Sequence, residues 1–160
     1  MGGGALAPPL AHYGTMCYNS PKGVGFVAAD LEQARLLLES GEFTCVFCKA
    51  EQVITCKERG VKPLLELLEA NQDLQGYSVA DKVVGKAAAM LYVCMHVRQV
   101  YAPVMSAGAE HTLLRHGIAA LYDKKTERIQ NRRGDGLCPM ESAVWDVEDP
   151  KEALEILKTK

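Results

Sequence analysis

The residues best suited to chemistry lie close together near the carboxyl end of the chain, in the segment Asn131–Glu141. Pro139 suits the first position of a helix, which makes Cys138 the predicted N-cap. Backbone N–H groups at a helix start, together with the cation of Arg132 or Arg133, stabilise a thiolate. The segment therefore predicts a nucleophile or a persulfide carrier at Cys138.

Two features of the same segment oppose a catalytic Cys138. Glu141 falls in the first turn of the predicted helix, where its charge would disfavour a thiolate, and no histidine adjoins the cysteine in sequence. A structural cysteine is the alternative interpretation. The segment also offers Asn131, Arg132, Gly136 and Glu141 as contacts to a ligand, although it lacks the G-K-[ST] and the strand-loop-helix context of a P-loop.

A second candidate group is the lysine pair Lys82 and Lys86, which are four residues apart near the start of a predicted buried helix. The helix dipole disfavours cations there unless an anion or a carboxylate is close. One hypothesis is that both lysines bind an anionic group of a small ligand. The other is that their stems pack while the ammonium groups reach solvent or pair with acids such as Asp81.

Hydrophobic periodicity predicts alternating helices and strands as the elements that position these residues. Ser78 and Asp81 form an S-x-x-D capping box for a long helix that is apolar almost all round and therefore buried. The alternation indicates a sheet that is parallel over at least part of its width. The predicted elements are a helix over Asp30–Ser40, hairpin strands Phe43–Cys48 and Gln52–Cys56, helices Pro63–Asn71 and Ser78–His96, strand Arg98–Met105, helix Ala107–His116, strand Ile118–Tyr122, and helices beginning at Pro139 and Pro150.

The predicted hairpin carries three of the six cysteines. A turn centred on Ala50 and Glu51 places Cys45 opposite Cys56. Cys45 and Cys48 form a C-x-x-C pattern, but residues three apart on a strand point to opposite faces and can neither chelate one ion nor form a redox pair. We expect these thiols to be reduced and packed in the core.

Length and charge limit the classes of protein to which the chain can belong. The 160 residues fit one domain, which we place at 26–160 after a loosely packed extension at 1–25. A formal charge of -2 provides no basic field for nucleic acid. Because no export signal or membrane-spanning segment is visible, we expect a cytoplasmic protein without a membrane partner, and a homo-oligomer remains open.

The order of elements is similar to the cytidine-deaminase-like fold, an α/β three-layer sandwich whose mixed sheet has helices on both faces. A closer resemblance is to an uncharacterised prokaryotic group, the domain of unknown function 1893 family. It rests on the run Asp81–Ala89, on Asn131-Arg132, and on the run Gly136–Glu141 that follows. The resemblance covers roughly Leu31 to Glu141 and implies the fold, but no activity.

The zinc ligands of ordinary deaminases are missing from the corresponding positions. Those enzymes need an H-x-E arrangement at a helix start together with P-C-x-x-C. The predicted buried helix carries Lys86-Ala87-Ala88 instead, and Pro103 is followed by no cysteine pair. His96, His111 and His116 share no element at ligand spacing and are expected at the surface. We therefore predict no metal, no cofactor and no zinc-dependent deaminase activity.

Three functions remain open from the sequence. The first is a zinc-free, deaminase-like domain that binds a small anionic or nucleotide-like metabolite between the start of the buried helix and the loop before Cys138. The second is an enzyme that uses Cys138 covalently for acyl or sulfur transfer, with Lys86 and Arg132 holding the substrate's charge. The third is a non-enzymatic interaction module that docks a partner through the amino-terminal segment or the last helix.

Overall fold

The computed structural model describes residues 24–160 as six helices and six strands in a mixed α/β arrangement. None of these helices is long and apolar enough to cross a bilayer. The elements of this part of the chain are, in order, α1 (Val24–Glu39), β1 (Cys45–Lys49), β2 (Gln52–Cys56), α2 (Lys62–Glu69), β3 (Ser78–Asp81), β4 (Val83–Val84), α3 (Lys86–Met95), β5 (Gln99–Ser106), α4 (Ala107–Arg115), β6 (Ala119–Thr126), α5 (Pro139–Ala143) and α6 (Pro150–Lys158).

The sheet is antiparallel at one side and parallel at the other. β2 pairs with β1, and β1 pairs with β3, both in antiparallel orientation. β3 and β4 lie one after the other along the same side of β5, and β6 lies along its other side, all three parallel to β5. The predicted partly parallel sheet is therefore confirmed.

Apolar side chains cover both faces of the sheet. On one face, Leu31, Ala34 and Leu38 of α1 pack against Val46 and Tyr101 of the strands. The larger core lies on the other face, where α3 brings residues such as Met90 and Leu91 against strand residues such as Phe47. The sheet with helices on both faces that we expected from the sequence is present.

The prediction of one helix over Ser78–His96 is wrong in its first half. Residues 78–84 form β3 and β4, and α3 begins only at Lys86, after Gly85 as the N-cap. Ser78 caps no helix, because its hydroxyl accepts a hydrogen bond from Gln99 of the neighbouring strand at 2.9 Å. A strand buried on both faces reads as a continuous apolar run, which periodicity alone does not distinguish from a buried helix.

The predicted hairpin is confirmed in its register. Cys45 of β1 lies opposite Cys56 of β2, and Lys49 lies opposite Gln52 across a turn at Ala50 and Glu51. The other predicted elements differ from the observed ones mainly at their ends. α1 begins earlier than predicted, and β6 continues to Thr126. The proposed extension at 1–25 lies outside the described residues except for its last two, which belong to α1.

Candidate functional site

A buried carboxylate, that of Glu141, connects three separate parts of the fold. Its Oε2 atom accepts hydrogen bonds from the backbone nitrogen of Lys86 at 2.8 Å and from the hydroxyl of Ser106 at 2.5 Å. Its Oε1 atom accepts one from the backbone nitrogen of Ile129 at 2.7 Å. The residue is only 1% exposed, and three donors around two oxygens suit a carboxylate in a site closed to water.

Two helices begin beside this carboxylate, at the edge of the sheet where the parallel strands end. α3 follows β4 and α4 follows β5, so both amino-terminal ends lie at the carboxyl edge. Ser106 is the N-cap of α4, since its hydroxyl also accepts a hydrogen bond from the nitrogen of Ala109 at 3.1 Å. Gly85, the N-cap of α3, has no side chain, and Glu141 supplies the acceptor for this helix start.

Gly85 allows the loop that precedes α5 to approach closely. A Cβ atom at this position would lie 2.9 Å from Cγ1 of Ile129 and 3.1 Å from Oε2 of Glu141. The first distance is shorter than carbon atoms tolerate without displacement. The absence of a side chain at Gly85 is therefore a packing requirement of the Glu141 site.

The two candidate lysines do not share a helix face, so that prediction is wrong. Lys82 is exposed and lies between β3 and β4. Lys86 is buried, and its Nζ atom donates to the carbonyl of Trp145 at 2.6 Å and to Glu148 at 3.3 Å. The alternative interpretation, in which the lysines pair with acids, therefore applies to Lys86. The acid is Glu148 and not Asp81. The same contact lowers the pKa of Glu148.

The glycine-rich segment forms a compact turn above this edge. The side chain of Asn131 accepts hydrogen bonds from the nitrogen of Gly134 at 2.8 Å and donates to Asp135 at 2.9 Å. The nitrogen of Asn131 donates to the carbonyl of Gly136 at 2.9 Å, which closes the turn. Arg132, like its neighbour Arg133, is exposed at this turn.

Cys138 is the N-cap of α5, as the sequence predicts, and it is partly exposed. Its nitrogen donates to the carbonyl of Ile129 at 2.8 Å, and its thiol does not cap the helix. Glu141, three residues later, is directed into the core by its bonds to Lys86 and Ser106. The structure thus joins Glu141, Lys86 and the base of the loop, while Lys82 and Arg132 take no part in these hydrogen bonds.

Sequence reasoning missed the residues that surround Lys86. The guanidinium of Arg128 lies 3.9 Å from the ring centroid of Trp145 and donates to Ser142 at 3.1 Å. The carboxylate of Glu148 forms ion pairs with both Lys86 and Arg115. Its Oε1 atom lies 2.8 Å from Nη1 of Arg115. Among the partners of Glu141 and Lys86, Ser106 carried a usable signal in the sequence, because serine immediately before a helical pattern is typical of an N-cap.

The histidines lie at the surface, as predicted: His96, His111 and His116 are all exposed. Within residues 24–160, no group of three or more His, Cys, Asp or Glu side chains is arranged to hold a metal ion.

Comparison with known proteins gives one family. The model of the domain of unknown function DUF1893 matches residues 33–160. A crystal structure of a DUF1893 family protein from Thermotoga maritima is similar with a TM-score of 0.76 and 28% sequence identity, over 89% of this chain and 92% of that one. No curated protein sequence matches. Because the family model spans most of the chain, this protein belongs to the DUF1893 family.

Proposed function

We propose that this protein is a deaminase-like domain without the zinc site, and that it binds a small anionic or nucleotide-like metabolite at the carboxyl edge of its sheet. The fold assignment is supported by the order of elements, in which a helix and a hairpin precede strands linked by α3 and α4. Helices on both faces of a mixed sheet also agree with it. The ligand class follows from this fold analogy.

The observation that carries the proposal is the meeting of two helix starts beside Glu141. In open α/β sheets, ligands bind outside the carboxyl ends of the strands, and helix starts favour negative charge. Glu141 already occupies the first backbone donor of α3 and the hydroxyl of Ser106. We therefore propose that the ligand does not contact these two donors. It lies beside the carboxylate, toward the exposed turn that carries Arg132.

The exposed cations around this edge would hold the ligand. Lys82 lies between β3 and β4, level with Pro103 of β5, and Arg132 and Arg133 lie on the turn above α5, all three exposed. Lys86 is engaged by Trp145 and Glu148, so we assign it a positioning role. Arginine and lysine at such places select anions such as phosphate or carboxylate groups.

Native mass spectrometry of the protein as purified, followed by titration with adenosine monophosphate and with inorganic phosphate, tests this function. We expect a bound small molecule, or binding of a titrated anion that Lys82→Met and Arg132→Ala each weaken about three-fold to ten-fold, as loss of an exposed charge contact predicts. Lys49→Met is the matched control, because Lys49 follows Cys48, which pairs with the first residue of β3 at the opposite edge. If all three variants weaken binding equally, the ligand does not bind at this site.

The covalent alternative retains one specific observation, the partly exposed thiol of Cys138 at the start of α5. A sulfur or acyl increment on the peptide containing Cys138 would support transfer chemistry. Cys94 is also partly exposed and is the control for nonspecific modification. The increment should disappear in Cys138→Ser and remain in Cys94→Ser. If it remains in Cys138→Ser, this alternative is wrong.

A further inference from the structure

A second group of reactive side chains lies away from the Glu141 site, across three neighbouring strands. Cys45 of β1 lies opposite Cys56 of β2 on one side and opposite Asp81 of β3 on the other. Directly paired residues on antiparallel strands point to the same face, with Cβ atoms about 4.5–5.5 Å apart. Both thiols belong to the core on the face that α3 covers.

Tyr92 of α3 joins the thiols to the acid. Its hydroxyl donates to Oδ2 of Asp81 at 2.6 Å and lies 3.1 Å from the sulfur of Cys45. Since the single hydroxyl proton is directed to Asp81, the thiol is the donor in the contact between Cys45 and Tyr92. The proton of Cys45 therefore has the Tyr92 oxygen as its acceptor.

The two cysteines differ in access and in acidity. Cys45 is 3% exposed, whereas Cys56 is 9% exposed and lines a surface depression with Glu58, Pro63 and Glu66. Burial raises the pKa of Cys45, while the Cys45 thiol, acting as a neighbouring donor, lowers the pKa of Cys56. Thiolate character and access are what select an attacking cysteine, and both favour Cys56.

We propose that Cys56 and Cys45 form a redox-active dithiol that is oxidised by small disulfides such as oxidised glutathione, with Asp81 acting through Tyr92 as the internal proton acceptor. Residues paired across antiparallel strands have Cα separations of about 4.5–5.5 Å, within the range that a disulfide spans. The proposal concerns the antiparallel side of the sheet and does not depend on ligand binding, although Asp81 directly precedes Lys82 in the chain.

The reaction has two steps. The Cys56 thiolate attacks one sulfur of glutathione disulfide, whose S–S bond breaks, and one glutathione leaves as its thiolate. The Cys45 sulfur then attacks the Cys56 sulfur of the mixed disulfide, as its proton passes to Tyr92 and the Tyr92 proton passes to Asp81, and the second glutathione leaves. Two protein thiols lose two electrons and two protons, which reduce one glutathione disulfide to two glutathione molecules.

Cys48 provides a matched control within the same strand. It is buried like Cys45, but it packs on the opposite face of the sheet, against α1. Trypsin cleaves after Arg35, Lys49 and Lys57, so Cys45 and Cys48 share one peptide while Cys56 lies in the next. A Cys48→Ala variant therefore assigns any cross-link between these peptides to Cys45.

The test treats the full-length folded protein with oxidised glutathione, blocks the remaining thiols with N-ethylmaleimide under denaturing conditions, and maps tryptic peptides without reduction. We expect a link between Cys45 and Cys56 in the unmodified protein and in Cys48→Ala. In Cys45→Ala, Cys56 should instead retain glutathione as a mixed disulfide. If Cys56 stays a free thiol while the partly exposed Cys94 and Cys138 react, or if the link is lost in Cys48→Ala, the proposal is overturned.

The role of Asp81 has its own readout. In Asp81→Asn, we expect the mixed disulfide on Cys56 to persist about ten-fold longer or more, as loss of a proton acceptor predicts. A purely structural role for Asp81 would change the free energy of unfolding but not this lifetime. An unchanged lifetime in a folded Asp81→Asn protein would remove Asp81 from the mechanism.

Discussion

The carboxylate of Glu141 lies 2.8 Å from the backbone nitrogen of Lys86, a residue 55 positions away in the sequence. This contact joins the short helix α5 to the start of the buried helix α3. The same carboxylate accepts from Ser106, the N-cap of α4, so one side chain holds two helix starts and the loop between β6 and α5 in fixed positions. The geometry of the proposed ligand site therefore depends on Glu141.

Replacing Glu141 by glutamine should destabilise the fold. Both carboxylate oxygens accept hydrogen bonds, and an amide would turn an N–H group toward one of these donors. We expect the free energy of unfolding to fall by about 2–3 kcal/mol, the cost of leaving a buried partner unsatisfied. Urea unfolding measures the loss. Glu155→Gln on the exposed face of α6 is the control, and an equal effect of both changes would argue against this role.

The two lysines should respond differently to replacement by methionine. Lys86→Met removes the donor to the carbonyl of Trp145 and the partner of Glu148, so we expect a loss of about 1–3 kcal/mol in unfolding free energy. Lys82→Met changes an exposed side chain and should stay within about 0.5 kcal/mol. Denaturant unfolding of the two variants in parallel checks this difference. A loss in Lys82→Met as large as that in Lys86→Met would contradict it.

A methyl group at Gly85 should disturb the same site by steric contact alone. The backbone at Gly85 is extended, with φ at -100°, so alanine suffers no conformational strain there. Its Cβ would meet Ile129 at 2.9 Å, and overpacking of this kind costs about 1–3 kcal/mol. Thermal unfolding of Gly85→Ala measures the loss. The double variant Gly85→Ala/Ile129→Ala should be more stable than the sum of the two single losses predicts. If the two losses simply add, the contact with Ile129 is not the cause.

Stability should depend on the ionisation of Asp81. Burial raises the pKa of this carboxyl to about 7 from the ordinary 3.8, despite hydrogen bonds from Tyr92 and from the backbone of Lys82 and Val83. Between about pH 4 and 7 the folded chain binds a proton that the unfolded chain has released. The contribution of Asp81 to the unfolding free energy therefore falls as the pH rises, by up to about 1.4 kcal/mol per pH unit, and is constant above the folded-state pKa.

Asp81→Asn, compared in a Cys56→Ser background because the Asp81 charge also raises the pKa of Cys56, isolates this contribution. Burial raises the pKa values of Tyr92 and Cys45, which face Asp81, so both stay protonated over this range. We compare the unfolding free energy of the variant with that of the Cys56→Ser parent protein at each pH. The difference, variant minus parent, should be about 2 kcal/mol more positive at pH 8 than at pH 5. Urea unfolding at the two pH values gives the difference. A difference of the opposite sign would mean that the Asp81 carboxylate is better stabilised in the fold than in water.

Local signals were enough for several elements of the fold. Asp149 and Pro150 begin α6, and Gly117 follows α4, as capping preferences predict. The turn at Ala50 and Glu51 gave the register of the hairpin, because a tight turn determines which residues face each other. Each of these features depends on neighbours in sequence.

The sequence by itself thus determined where α4 begins and ends, where α6 begins, how Cys45 faces Cys56, and that Cys138 precedes a short helix. Only the tertiary structure decided that residues 78–84 form strands, because an apolar run becomes a strand or a helix according to what covers its two faces. It also decided the partners of Glu141 and Lys86, which lie 12 to 62 residues away in the chain. Hydrogen bonds over such separations form only after the sheet and its helices have packed, so no local pattern could predict them.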